Sequence, residues 1–255
     1  MPDASPDSMP DTPRFRDKPV SFVRRSGRMS DAQERAWAEL APRYVLEVQR
    51  DAAATSILPG TGIDPASVFG RRAPLVVEIG SGQGHAIVHA AAAHPDTDFL
   101  AVEVFRAGLA RTMLDADRAD VHNLRLVEAN APEVLQSFLP EASVSEVWVF
   151  FPDPWHKKRH HKRRLVNPAF AALLARKLAP GGRLHLATDW ADYAESMWDV
   201  LDATPGLVNR AGARGHVPRP PWRPQTHFET RGQRLGHGVW DLIYDRVDIG
   251  PGPAG

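Results

Sequence analysis

The sequence predicts an α/β fold: a doubly wound, mostly parallel sheet with an antiparallel strand at the C-terminus. Three observations predict it. Between Pro74 and Leu201, apolar runs of about five residues alternate with helical patterns. The first run leads into a glycine turn, Gly80-Ser81-Gly82-Gln83-Gly84. The last β-rich run, Gly238–Val247, lies beyond a proline-rich stretch and is expected to return antiparallel.

Ser30-Asp31-Ala32-Gln33-Glu34 carries capping-box chemistry for a first helix that is expected to run to about Gln49. Thr55 to Pro74 is rich in Gly and Pro and reads as a connection. Leu75–Ile79 is then a buried strand, followed by an Ala-rich helix from His85 to Ala93. Asp98–Glu103 is the second strand, with a helix from Arg106 to about Ala116. Leu124–Val127 is the third, followed by a helix near Pro132–Phe138, and Glu146–Phe150 is the fourth. Pro168–Leu178 is helical, and Gly181-Gly182 is expected to end it. Arg183–Thr188 is the fifth strand and Tyr193–Leu201 the next helix. Pro218–Pro224 must be extended, because each residue before a proline is pushed out of the helical region.

A chain of 255 residues can bury a full core, so one domain with extensions is expected. Residues 1–20 read as a disordered, acidic, Pro-rich tail. Residues 21–73 read as a basic loop, helix and linker, 74–247 as the α/β domain, and 248–255 as a flexible tail. No apolar run approaches the roughly 18 residues a membrane span needs. The N-terminus has neither the basic nor the apolar region of a signal peptide. The absence of cysteine excludes disulfides, cysteine-ligated zinc and iron–sulfur clusters. It also excludes the thiolate attack by which C5 of a pyrimidine is methylated. The cytoplasm is the expected compartment.

Charge is placed rather than spread. His156-Lys157-Lys158-Arg159-His160-His161-Lys162-Arg163-Arg164 holds six Lys/Arg and three His, while the whole chain has a formal net charge of zero. The remainder therefore sums to minus six. A tract this basic just beyond a strand's active end favours phosphate contact over a merely solvated loop. The cations beside His156, His160 and His161 oppose a metal ion, so no metal site is expected.

The glycine turn sits between a strand and a helix, where glycine lets backbone approach a ligand closely. Glu78 stands just before it, and Glu103 ends the next strand 25 residues on. A carboxylate at the second strand end can accept from both ribose hydroxyls. One before the turn can reach an ammonium group, directly or through water. The ligand this suggests is a nucleoside joined to a cationic amino acid, S-adenosylmethionine. A tight turn with two surface carboxylates is the bland alternative. A nicotinamide cofactor fits the G-x-G-x-G spacing less well than G-x-G-x-x-G would.

Asp153 follows the fourth strand, with Pro152 and Pro154 fixing the backbone around it and Trp155 offering a face for a base. In the same fold, methyltransferases of exocyclic amines in adenine and cytosine carry D-P-P-Y or N-P-P-Y at this place. Asp153-Pro154-Trp155 departs from that pattern, which leaves an exocyclic-amine nucleic acid methyltransferase as the alternative reading. A non-enzymatic RNA-binding module would predict eroded glycines, whereas Gly80, Gly82 and Gly84 are intact.

Several blocks in order now carry a resemblance: Ser21–Arg25, Glu78-Ile79-Gly80, Phe151–Arg164, Ala187-Thr188-Asp189-Trp190, Thr226–Glu229 with Arg231-Gly232, and Leu235–Leu242. Over about Ser21 to Asp245 the chain resembles the bacterial tRNA (guanine-N7)-methyltransferases, which modify position 46 in the variable loop. The resemblance implies a Rossmann-like class I methyltransferase domain over 74–247. It implies S-adenosylmethionine as cofactor, tRNA as partner, no metal or membrane, and action as a monomer or homodimer. It implies cofactor contacts at Glu78, Gly80, Gly82, Glu103, Asn130 and Asp153, with Asp153 also catalytic. Asn130 stands where the family commonly has Asp. Substrate or RNA contacts are implied at Lys157, Arg159, His160, His161, Lys162, Arg163, Arg164, Asp189, Thr226, His227, Phe228 and Glu229.

Overall fold

Strand β1 (Leu75–Ile79) is buried along its whole length, as a strand must be when parallel neighbours flank it and helices cover both faces. The computed structural model describes residues 28–51, 53–225, 229–230 and 238–248. Residues 1–20 and 249–255 of the expected tails, the Ser21–Arg25 block, Thr226–Phe228 and the Arg231–His237 part of the later blocks lie outside the described residues. Beside β1 run β2 (Asp98–Glu103), β3 (Leu124–Glu128), β4 (Val144–Phe150), β5 (Leu178–Thr188), β6 (Leu207–Asn209) and β7 (Trp240–Arg246). The sheet order is β3-β2-β1-β4-β5-β7-β6. Strands β1 to β5 are parallel, and β7 returns antiparallel against both β5 and β6. The winding direction reverses between β1 and β4, which opens a crevice at their carboxyl ends.

Strand alternation divides the core in two. Leu75, Val77 and Ile79 join the cluster under α6 (Pro168–Lys177) and α7 (Ala191–Leu201). Val76 faces the other cluster, with α3 (His85–Ala93), α4 (Arg106–Arg118) and Tyr44 of α1 (Asp31–Tyr44). Glu78 shares the parity of Val76.

Four expectations are corrected or refined. The first helix ends at Tyr44 rather than near Gln49, although its capping box forms between Ser30 and Gln33. The chain leaves it because Val45 bridges Leu126 and the Leu46 N–H donates to the Leu126 carbonyl at 2.8 Å. The expected connection over Thr55–Pro74 contains the short helix α2 (Pro65–Phe69). Asp64 caps it, with proline in its first turn. Pro132–Phe138 is helical as expected but not α throughout: α5 (Ala131–Glu133) widens into a π-helical turn at Val134–Phe138, closed by the Leu139 N–H on the Val134 carbonyl at 3.1 Å. Gly181-Gly182 lie inside β5 rather than ending α6; a Cβ on Gly182 would come within 2.8 Å of the Ala179 carbonyl oxygen.

Candidate functional site

The crevice floor is the turn after β1. The Gly80 N–H donates to the Val102 carbonyl at 2.8 Å, which ties the turn to the end of β2. Space around Gly80 and Gly82 is open, with nothing within 4 Å of a Cβ built on either. The opposite holds where the turn meets α4. A Cβ on Gly84 would lie 2.4 Å from the Thr112 side chain, and one on Gly108 would lie 2.2 Å from the Gly82 carbonyl oxygen. Two of these glycines thus leave backbone facing the crevice, and the other two let α4 press against the turn from behind.

Glu78 is 4% exposed. Burial first, with the nearby Glu103 charge adding to it, pushes its carboxyl up to about 8, despite a hydrogen bond from the Ile87 backbone. Its Oε2 and the Ser81 Oγ are buried without a hydrogen-bond partner among the described residues. An orphaned buried carboxyl oxygen beside a glycine turn fits a cationic group, the chemistry of an amino acid's ammonium. Glu103 is organised differently. Its Oε2 accepts from the Gly82 N–H at 2.8 Å, and its Oε1 accepts from the Val104 and Phe105 N–H groups at 2.7 and 2.9 Å. Glu103 therefore staples the glycine turn to the end of β2. Asn130 follows β3, half-buried, and its Nδ2 donates to Glu133 Oε1 at 3.1 Å.

Asp153 lies half-buried beyond β4. Two non-glycine residues bracket it in the left-handed region, Phe151 at φ 51° and Trp155 at φ 50°. Each costs on the order of 1 kcal/mol or more, a strain that persists only where surrounding contacts impose it. The Phe151 N–H supplies one such contact, donating to the Ala187 carbonyl at 2.8 Å. Trp155 supplies another: the Arg163 guanidinium lies 3.8 Å over its ring and His160 meets the ring edge-on at 6.0 Å. The face expected to receive a base is thus covered on one side by Arg163.

The basic tract winds as a six-residue 3₁₀ helix, Lys158–Arg163, the basic turn. Lys157, Lys158, Arg159 and Lys162 are exposed, while His160, His161 and Arg163 are half-buried. Arg164, expected among the RNA contacts, is 5% exposed and turned inward. Its Nε donates to the Pro154 carbonyl at 3.0 Å, its guanidinium pairs with Asp192, and it lies over the Tyr193 ring. It bolts the basic turn to the Asp153 segment and to α7. Asp189 is half-buried at the end of β5, next to β4 in the sheet, and the neighbouring Trp190 packs on His156 at 4.2 Å.

Glu229, expected as a substrate contact, is 1% exposed. It accepts from Arg223 at 2.8 Å and lies 3.3 Å from Arg219. Arg223 is fully buried, holds both oxygens of Asp241 at 2.8 and 2.9 Å, and sits 5.5 Å from the Phe150 and Phe151 rings. His185 Nε2 is 2.7 Å from Asp241, and Trp222 lies 4.6 Å from Trp148. Sequence reasoning missed this network. Its one available signal was an arginine and a tryptophan inside a proline-rich segment. Among the described residues, no group of three His, Asp or Glu could hold a metal ion.

A doubly wound sheet of this order, with a glycine turn after β1 and carboxylates at the ends of β1 and β2, defines a class I, S-adenosylmethionine-dependent methyltransferase. A family model described as "Putative methyltransferase" matches residues 72–242. The chain is 56% identical over 235 residues to the tRNA (guanine-N(7)-)-methyltransferase of Xanthomonas oryzae pv. oryzae (strain MAFF 311018), covering 92% of this chain and 89% of that protein. It is 57% identical over 229 residues to the protein of the same name from Stenotrophomonas maltophilia (strain K279a), with 89% of each covered. This chain belongs to the tRNA (guanine-N(7)-)-methyltransferase family. A 16S rRNA (adenine(1408)-N(1))-methyltransferase mutant from Catenulisporales acidiphilia shares the fold at a TM-score of 0.50 and 19% identity, over 76% of this chain and 99% of that one.

Proposed function

We propose that this protein methylates N7 of guanine in tRNA, at position 46 of the variable loop, using S-adenosylmethionine in the cytoplasm. The observation that carries the reading is a juxtaposition. The buried Glu78 carboxyl, without a partner at Oε2, stands just before the turn after β1, and Asp153 lies just beyond neighbouring β4, in a segment bolted to the basic turn by the Arg164 bond to the Pro154 carbonyl. The relatives' activity supports the choice of base and RNA.

Glu78, Glu103 and Asn130 would hold the cofactor, with Gly80 and Gly82 letting it lie against backbone. Bound there, S-adenosylmethionine would supply an electrophilic sulfonium methyl: the guanine N7 lone pair, which carries no proton, would form the new N–C bond as the S–C bond breaks and S-adenosylhomocysteine leaves. No general base is therefore required. The product ring is cationic, and the Asp153 carboxylate acts by position and charge, favouring that cation as it forms. Asp189, one strand over, would hold the guanine's N1 and amino edge. Lys157, Arg159, His160, His161, Lys162 and Arg163 present the surface that meets phosphates, while Arg164 and Glu229 act from inside the fold.

Incubation with labelled cofactor and unmodified tRNA, followed by nucleoside analysis, tests the reading. Label in 7-methylguanosine is expected. Label in N6-methyladenosine would move the protein to exocyclic-amine chemistry, and no label would remove the activity. Asp153→Ala is expected to lower turnover by at least 100-fold, about the scale of losing one well-placed charged group, with an unchanged melting temperature. Near-normal turnover would sink the assignment.

A further inference from the structure

We propose that Glu133 is a positioning residue that fixes the Asn130 amide with its Oδ1 presented to the crevice, where it reads the 6-amino group of the cofactor's adenine. This rests on the cofactor reading above.

Asn130 stands beside the end of β2. Glu103 is the register partner of Glu128, and the Ala129 N–H donates to the Glu103 carbonyl at 3.1 Å. Its backbone is pinned on both sides. The Asn130 N–H donates to the Thr55 carbonyl at 2.8 Å, and its own carbonyl accepts from the Glu133 and Val134 N–H groups at 3.0 and 3.1 Å. The side chain is left as the only movable part.

Asparagine before a helix ordinarily spends its side-chain oxygen on the first-turn N–H groups. Asn130 does not, since α5 has no side-chain cap bond. The amide is engaged from the other end, with Nδ2 on Glu133 Oε1. Glu133 is itself anchored, because its Oε2 accepts from the Ile57 N–H at 2.9 Å. A carboxylate offers acceptors only, so the reverse amide rotation would set oxygen against oxygen. Chemistry therefore dictates the rotation, and Oδ1 is the end turned away from Glu133. An acceptor in that place favours a 6-amino donor, as in adenine, over a 6-oxo acceptor, as in hypoxanthine.

The experiment is calorimetric titration of the full chain with S-adenosylhomocysteine and with S-inosylhomocysteine. The wild type is expected to bind the adenosyl compound more tightly. In Glu133→Gln, the new amide keeps its oxygen on the Ile57 N–H and turns its NH₂ toward Asn130. Asn130 then rotates and presents Nδ2 to the crevice. The adenosyl-to-inosyl affinity ratio is expected to fall about tenfold, the scale of one hydrogen bond replaced by an unmatched pair. Asn130→Ala, which removes no cap bond, is expected to lower the ratio about fivefold. Wild-type ratios in both variants would overturn the proposal. Binding of neither compound by the wild type would remove the cofactor reading, and the proposal with it.

Discussion

Glu78 holds its proton up to about pH 8 because it is buried, with the Glu103 charge adding to the effect. The folded-state value is raised above the ordinary 4.5, so between those two values the folded protein keeps a proton that the unfolded chain has lost. Stability without ligand is expected to decline as pH rises through that window and to level off above about 8. Thermal melts against pH measure this, and Glu78→Gln is expected to flatten the decline. An ammonium group beside Glu78 favours the ionised carboxylate. Binding of S-adenosylhomocysteine at pH 7 is therefore expected to release a proton, seen as a binding heat that changes with the buffer's ionisation heat. A buffer-independent heat would contradict it. The residue itself was legible in the sequence, since a carboxylate directly before a glycine turn is a local pattern. Its missing partner was not, because burial is set by α3 and the strands around it. Arg164 and Glu229 make the same point from the other side. The family resemblance implied RNA or substrate contact for both, and in the fold they turn inward onto Asp192 and Arg223, 28 and 6 residues away.

At the scale of elements, α4 and the glycine turn act as one part. Gly108→Ala would drive a methyl into the Gly82 carbonyl. A destabilisation of about 2 kcal/mol is expected in chemical denaturation, the usual cost of overfilling a packed contact. S-adenosylhomocysteine affinity is expected to drop with it, because the displaced carbonyl belongs to the turn that Glu103 staples. The basic turn permits a separate test. Replacing Lys157, Lys158, Arg159 and Lys162 with Ala is expected to raise the Michaelis constant for tRNA and flatten its salt dependence, by a slope of about 0.9 for each phosphate no longer neutralised. An unchanged slope would place the RNA elsewhere. Strands β1 to β5 were readable from short apolar runs, since that pattern is local. The end of α1 was not, because pairing of Val45 with Leu126 overrides helical propensity. Strand β6 was not legible for a similar reason: its three residues are held as a strand by pairing with β7.

Over the whole molecule, the buried Arg223 network joins β4, β5, β7 and the proline-rich segment. Arg223→Met is expected to cost about 3–5 kcal/mol in chemical denaturation, because it removes the buried cation that the Asp241 and Glu229 carboxylates share. Burial alone would raise the Asp241 carboxyl, but hydrogen bonds from His185 and Arg223 outweigh it and hold the group below its usual value. Stability from this group is thus present above the unfolded-state value and lost as pH falls through the lower folded one. None of this was legible in sequence: Asp241 meets Arg223 across 18 residues and His185 across 56, and no local pattern spans those distances. The inward bolt at Arg164 has a consequence of its own. It ties the exposed cations of the basic turn to the Asp153 segment through the Pro154 carbonyl and to α7 through Asp192, which sets the separation between cations and carboxylate. If the proposed function holds, the expected consequence is a calliper on folded RNA: a guanine is taken where the path of the backbone sets its N7 one jaw-width from the phosphates.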